Sequence, residues 1–154
     1  MSGTAAPLDD FHWALRTEIY RHIAETTEAP TMDSLASWYG RSRNELLAAL
    51  DALEAHHAIA LLPDRSGIWM ANPFSATPTA YPVDTKRGRY WANCAWDALG
   101  VPAILGIDGW IEAHCAGSGA PLSFGVRDGV REGDDGLIHL VVPPRNAWDD
   151  IGFT

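Results

Sequence analysis

Apolar residues recur every four positions from Phe11 through Leu15 and Ile19 to Ile23, the spacing of one face of an amphipathic helix. Asp9 and Asp10 stand in front of it as cap and dipole partners. Pro30 interrupts the chain, and residues 31–40 read as a short helix opened by Thr31 and closed by Gly40. Ser42 caps a third helix over residues 43–57, where Leu46, Leu47, Leu50 and Leu53 form one apolar face and acids the other. Residues 58–62 and 68–71 flank the turn signal Pro63-Asp64-Arg65-Ser66-Gly67 and predict a β-hairpin. Three helices and a hairpin in this order describe a winged-helix-like domain.

The stretch from Ala71 to Pro82 carries three prolines among small polar residues, which places a boundary between residues 1–76 and 77–154. Beyond it, residues 79–84 predict a strand and residues 89–100 a helix ended by Gly100 and Pro102. Residues 109–115, 122–126 and 136–142 predict three more strands between glycine-rich turns. The fold class is therefore α+β: an N-terminal winged-helix-like three-helix domain with a hairpin, then a small mixed α/β domain.

Charge narrows the partners. The 154 residues hold 20 acids against 11 Lys and Arg, a net charge of −9, which repels polyphosphate and anionic lipid. Arg41 and Arg43 do sit where the third helix begins, the place where a winged helix reads DNA. Yet residues 1–76 carry ten acids and five bases, and Glu45, Asp51 and Glu54 fall on or beside the groove-facing helix. Nucleic acid is not an expected partner. The start of the chain has no basic segment leading into an apolar one, and the longest uncharged apolar run, Ala98 to Ile107, is half of the ~20 residues a membrane span needs. The expectation is a cytoplasmic protein with reduced thiols and no membrane contact.

Motifs of common enzymes are absent: there is no phosphate loop, Gly-x-Ser-x-Gly elbow, HExxH or CxxC. None of the six histidines has zinc-ligand spacing with another His or Cys. His114 and Cys115 are adjacent, but neighbours on a strand point to opposite faces. Cys94 and Asp97, three apart on the predicted helix, project together. A thiolate there suits soft metals such as Hg(II), Cu(I) or Zn(II), and a carboxyl walled by Trp91, Trp96 and Leu99 is placed to relay a proton. Lys86, Arg87 and Arg89 lie upstream, where a fold back toward the helix start would lower the thiol's pKa. On pattern alone, a buried core cysteine beside a solvated aspartate accounts for the same two residues.

The segments YPVDTKRGRYWANCAWDALGVPAILG and IEAHCAGSGAPLSF resemble the core of the alkylmercury (organomercurial) lyase family, which pairs a Cys-Ala-x-Asp helix with a later His-Cys-Ala-x-x-Gly-Ala-Pro strand and turn. The likeness is densest over residues 81–125, and a helical N-terminal domain with a wing is also what that family carries. It implies a lyase-type second domain, Cys94 as nucleophile and mercury ligand, and Asp97 as proton relay at the same metal. It further implies a small organomercurial substrate, no cofactor, Hg(II) as bound product, and a small thiol or a mercury reductase as its acceptor. Cys115 matches a structural cysteine, in line with burial on its predicted strand. The chain departs from the family in one respect: the second catalytic cysteine belongs beyond residues 136–142, and the sequence reaches Thr154 without it. Two expectations follow, a reading frame cut short ahead of a cysteine or selenocysteine, or a homologue without turnover. The competing functions are a winged-helix metal- or ligand-sensing regulator and a catalytically silent thiol or metal-binding homologue.

Overall fold

The computed structural model describes residues 7–152. Helix α1 (Asp10–Thr26) starts at Asp9, whose carboxylate accepts from the His12 N–H, and buries Leu15, Ile19 and Ile23, the predicted stripe. Helix α2 (Met32–Tyr39) is opened by Thr31 and closed by Gly40 at φ 59°, a left-handed cap that glycine adopts at no steric cost. Helix α3 (Arg43–Ala55) has Ser42 and Glu45 as a reciprocal capping box and buries Leu46, Ala49, Leu50 and Leu53. Strands β1 (Ala60–Leu61) and β2 (Ile68–Ala71) pair antiparallel as the expected hairpin.

Its turn is fastened to α3. Arg65 forms ion pairs with Asp51 and Glu54, and Glu54 also accepts from the Leu61 N–H. Two of the acids that stand against DNA binding therefore hold the hairpin to the helix. Arg43 pairs with Asp33, and the Arg41 guanidinium lies 3.9 Å from the centre of the Phe11 ring.

The stretch with three prolines contains a short strand. Phe74 and Ser75 form strand β3, both residues are buried, and β3 bridges β2 to β5. With β4 (Pro82–Thr85), β5 (Gly88–Ala92), β6 (Gly109–His114), β7 (Pro121–Arg127) and β8 (Val130–Gly133), the strands make one sheet in the order β1-β2-β3-β5-β4-β6-β7-β8. The boundary expected after residue 76 falls just past β3, within this continuous sheet. One hydrophobic cluster runs from Leu15 and Leu50 through Phe74, Tyr90 and Ile111 to Ala98 and Val101. The Tyr90 hydroxyl donates to the Ala24 carbonyl at 2.7 Å, joining β5 to α1.

Three expectations are corrected. Residues 89–100 are not one helix: Arg89 to Ala92 belong to β5, and helix α4 (Ala95–Leu105) begins only after Cys94. That helix also runs through Gly100 and Pro102. Packing overrides the two breakers: Gly100 lies against Pro73, and Pro102 is buried with Gly109 beside it. Residues 136–142 form no strand, and Leu137 is fully exposed. Strand β8, whose four residues are all exposed, takes the edge beside β7 instead, and a 3₁₀ turn over Pro144–Asp149 follows.

Gly125 pairs with Trp110 in the β6–β7 ladder, and a Cβ there would run into the Gly109 carbonyl oxygen and the Trp110 ring. Backbone cannot yield as a side-chain tip does, so Gly125→Ala is expected to destabilise the protein by about 1–3 kcal/mol, read as a lower midpoint in urea. A midpoint equal to that of the parent would show that the two strands separate freely at this point.

Candidate functional site

Strand β5 leads directly into the site. Its last residue, Ala92, is fully buried beside β3, and two residues later Cys94 is the N-cap of α4, with extended backbone at φ −150° and its carbonyl accepting from the Ala98 N–H at 2.9 Å. Asp97 is then the third residue of the helix. The two side chains meet as cap and third residue, not as neighbours on a mid-helix face; the thiol makes no capping hydrogen bond, but the first-turn N–H groups of Trp96 and Asp97 are near enough to act on it. Those donors and the helix dipole favour a thiolate. Burial acts against them and more strongly, so the Cys94 thiol is pushed up from its ordinary value, with the Asp97 carboxyl adding to the rise.

Asp97 is half-buried, and burial raises its pKa above the ordinary 3.8, while the polar ends of Asn93 and Cys94 beside it pull it back. A folded state that binds this proton more tightly than the unfolded chain loses stability as pH climbs from the unfolded value through the folded one. Asp97→Asn removes that cost. The variant is expected to melt a few degrees higher than the parent at pH 8 and to lose its advantage near pH 3.8, where the carboxyl is becoming neutral in either state. Melting curves that stay parallel from pH 3 to pH 8 would contradict the raised pKa.

The expected surroundings hold in part. Leu99 is partly buried against the core, but Trp96 is 66% exposed on the outer side of α4, and Trp91 lines a separate cleft with Thr31, Ser75 and Arg89. Lys86, Arg87 and Arg89 do not act on the thiol. Arg89 is held by Asp84 through two bonds of 2.7 and 2.8 Å, and the groups that shift Cys94 are its burial, Asp97 and the helix N–H donors.

Cys115 lies just past β6, in the turn before β7, rather than buried on the strand. Hydrogen bonds from the Ser118 hydroxyl and the Ser118 and Gly117 N–H groups lower its pKa. Among the described residues no group of three or more His, Cys, Asp or Glu is placed to hold a metal ion.

Three polar residues that the sequence reading passed over border the pair. The Asn93 Nδ2 donates to Asn72 Oδ1 at 2.7 Å and to the Phe74 carbonyl at 3.3 Å. Tyr20 of α1 donates to the Asn72 carbonyl at 2.9 Å, receives a bond from Arg16 at 3.2 Å, and is near enough to Asp97 for its phenol to feel that charge. The only signal in the sequence was position: Asn93 directly precedes Cys94, and Asn72 opens a turn before Pro73. No helix among the described residues is long and apolar enough to cross a membrane.

Residues 74–154 match the family described as MerB, alkylmercury lyase. Among solved structures, one described as the mercury-bound form of MerB2 is similar to this chain at 23% identity with a TM-score of 0.66, covering 81% of this chain and 60% of that one. The shared architecture is the helix-plus-antiparallel-sheet arrangement, and the chain spans 60% of the length of that structure.

Proposed function

Because this chain belongs to the alkylmercury lyase family, we propose that it captures organomercurials on Cys94 and uses Asp97 to deliver the proton that cleaves the carbon–mercury bond. The observation that carries this reading is the placement of a thiol and a carboxyl at the N-cap and third residue of α4, within reach of each other and half-buried. The organomercurial is the substrate, and the chemistry needs no resident cofactor.

In the first step the Cys94 sulfur displaces the anionic ligand X from R–Hg–X, an S–Hg bond forms, and the thiol proton leaves with X. Soft sulfur binds mercury far better than the hard oxygens around it. In the second step a small-molecule thiol adds its sulfur to the mercury, which raises electron density on the carbon. The Asp97 proton goes to that carbon, R–H departs, and the proton of the incoming thiol reprotonates Asp97. Mercury is left between two sulfurs, ready for transfer to a further thiol or a mercury reductase. A carboxyl that burial keeps protonated to higher pH suits a proton donor.

In the same proposal the helices α1–α3 with the β1–β2 hairpin are a winged-helix-like unit that walls the site, and the protein works in the reducing cytoplasm, where Cys94 stays a free thiol. The test is incubation with phenylmercury and excess small thiol. A phenylmercury adduct located on Cys94, followed by benzene in the headspace, is the expected result. An adduct confined to Cys115, or none, overturns the reading.

A further inference from the structure

Asn93 joins the entry of α4 to two other parts of the fold. Its Nδ2 has two hydrogens and two acceptors, Asn72 Oδ1 at 2.7 Å on the β2–β3 turn and the Phe74 carbonyl at 3.3 Å on β3. The other end of the amide, Oδ1, is buried and accepts no hydrogen bond. Turning the amide over would not relieve this, because it would set an oxygen against the Phe74 carbonyl, which is main chain and cannot turn with it. The fold thus tolerates a buried orphan acceptor, which is unfavourable, and keeps Nδ2 on these two partners. The turn that receives Asn93 is itself fixed from both sides: the Tyr20 hydroxyl holds the Asn72 carbonyl at 2.9 Å, and Gly100 of α4 seats against Pro73.

We propose that Asn93 is a positioning residue for Cys94, and that its clasp on Asn72, anchored through Tyr20 to α1, fixes the first turn of α4 so that the thiol keeps its place at the helix N-cap beside Asp97. The proposal deepens the lyase reading by naming what holds the nucleophile, and three of its residues, Arg16, Tyr20 and Asn72, lie before the segment 74–154 that matches the family. Its consequence is that the helical half of the chain bears on the site through a polar path, Arg16–Tyr20–Asn72–Asn93, alongside the apolar core and the Tyr90–Ala24 bond.

The test needs no mercury. Alkylation of Cys94 by iodoacetamide, followed by peptide mass mapping so that Cys115 is read separately, is compared in the parent, Asn72→Ala, Asn72→Asp, Asn93→Ala and the double alanine variant. Loosening the first turn exposes a thiol that is now half-buried, so both alanine variants are expected to alkylate ~10-fold faster or more at Cys94, with Cys115 unchanged. Asn72→Asp keeps an acceptor for Nδ2 and is expected to react at the parent rate, and the double variant no faster than either single one. An Asn72→Ala rate equal to the parent's, or an Asn72→Asp rate as fast as that of Asn72→Ala, overturns the proposal. If Asn93→Ala does not fold, the two Asn72 variants decide alone. Capture of phenylmercury by the parent, measured in parallel, bears on the lyase reading and not on the clasp.

Discussion

Cys94→Ser is expected to abolish retention of phenylmercury when glutathione competes, with affinity falling ~10³-fold or more, while Cys115→Ser keeps it. The contrast is demanding, because Cys115 is the thiol whose pKa the structure lowers, through Ser118 and the neighbouring N–H groups, whereas burial pushes that of Cys94 up. Thiolate content alone would therefore favour Cys115. What favours Cys94 is its setting: both thiols are partly exposed, but Cys94 sits at a helix N-cap beside a half-buried carboxyl, whereas Cys115 lies in a turn. Serine fills the same space but is a hard ligand, and it stays protonated at neutral pH. Equal titration of the two variants with phenylmercury under competition would remove Cys94 from its special position.

Asp97→Asn is expected to bind phenylmercury as the parent does and to release benzene ~10²–10⁴-fold more slowly. The amide has nearly the shape of the carboxyl and fits the same half-buried place beside Cys94, so the sulfur–mercury bond should form undisturbed. It has no proton to give at neutral pH. Single-turnover benzene release with excess small thiol reads the chemical step without product exchange, and a rate equal to the parent's would assign proton delivery to solvent or to the thiol.

The sequence shows most clearly what is set by local rules. The four-residue stripe of α1 and the caps Asp9, Thr31 and Ser42 lie where periodicity and cap preference place them. The misreadings lie where tertiary contacts decide. Arg89 to Ala92 alternate between exposed or half-buried and buried positions, as a strand does, yet they run on into the helix formers of α4 and read as one helix. Gly100 and Pro102 remain helical with Pro73 packed on the first and Gly109 on the second. β3 is two residues long between prolines, too short for any period, and the four exposed residues of β8 carry no apolar signal. Residues 136–142 have the composition of a strand and no partner against which to form one. Spacing singles out Cys94 and Asp97, and likeness to a family gives them their roles. The spacing that first suggested them assumed a mid-helix face, whereas the contact arises from a capping position. Asn93 was legible in neither way, because its partners Asn72 and Phe74 are 21 and 19 residues distant.

β3 contributes two residues to the sheet, yet it is the strand through which the hairpin beside α3 is continuous with β5. A chain divided at residue 76 would strip β5 of this neighbour and leave its backbone donors and acceptors open to pairing with another copy. Tyr90 and Ala92 would lose their cover at the same time, one residue short of the segment that presents the thiol. Tolerance to heat and readiness for chemistry thus draw on the same few contacts, and a change that softens the helical half will register at the sulfur before it registers as unfolding.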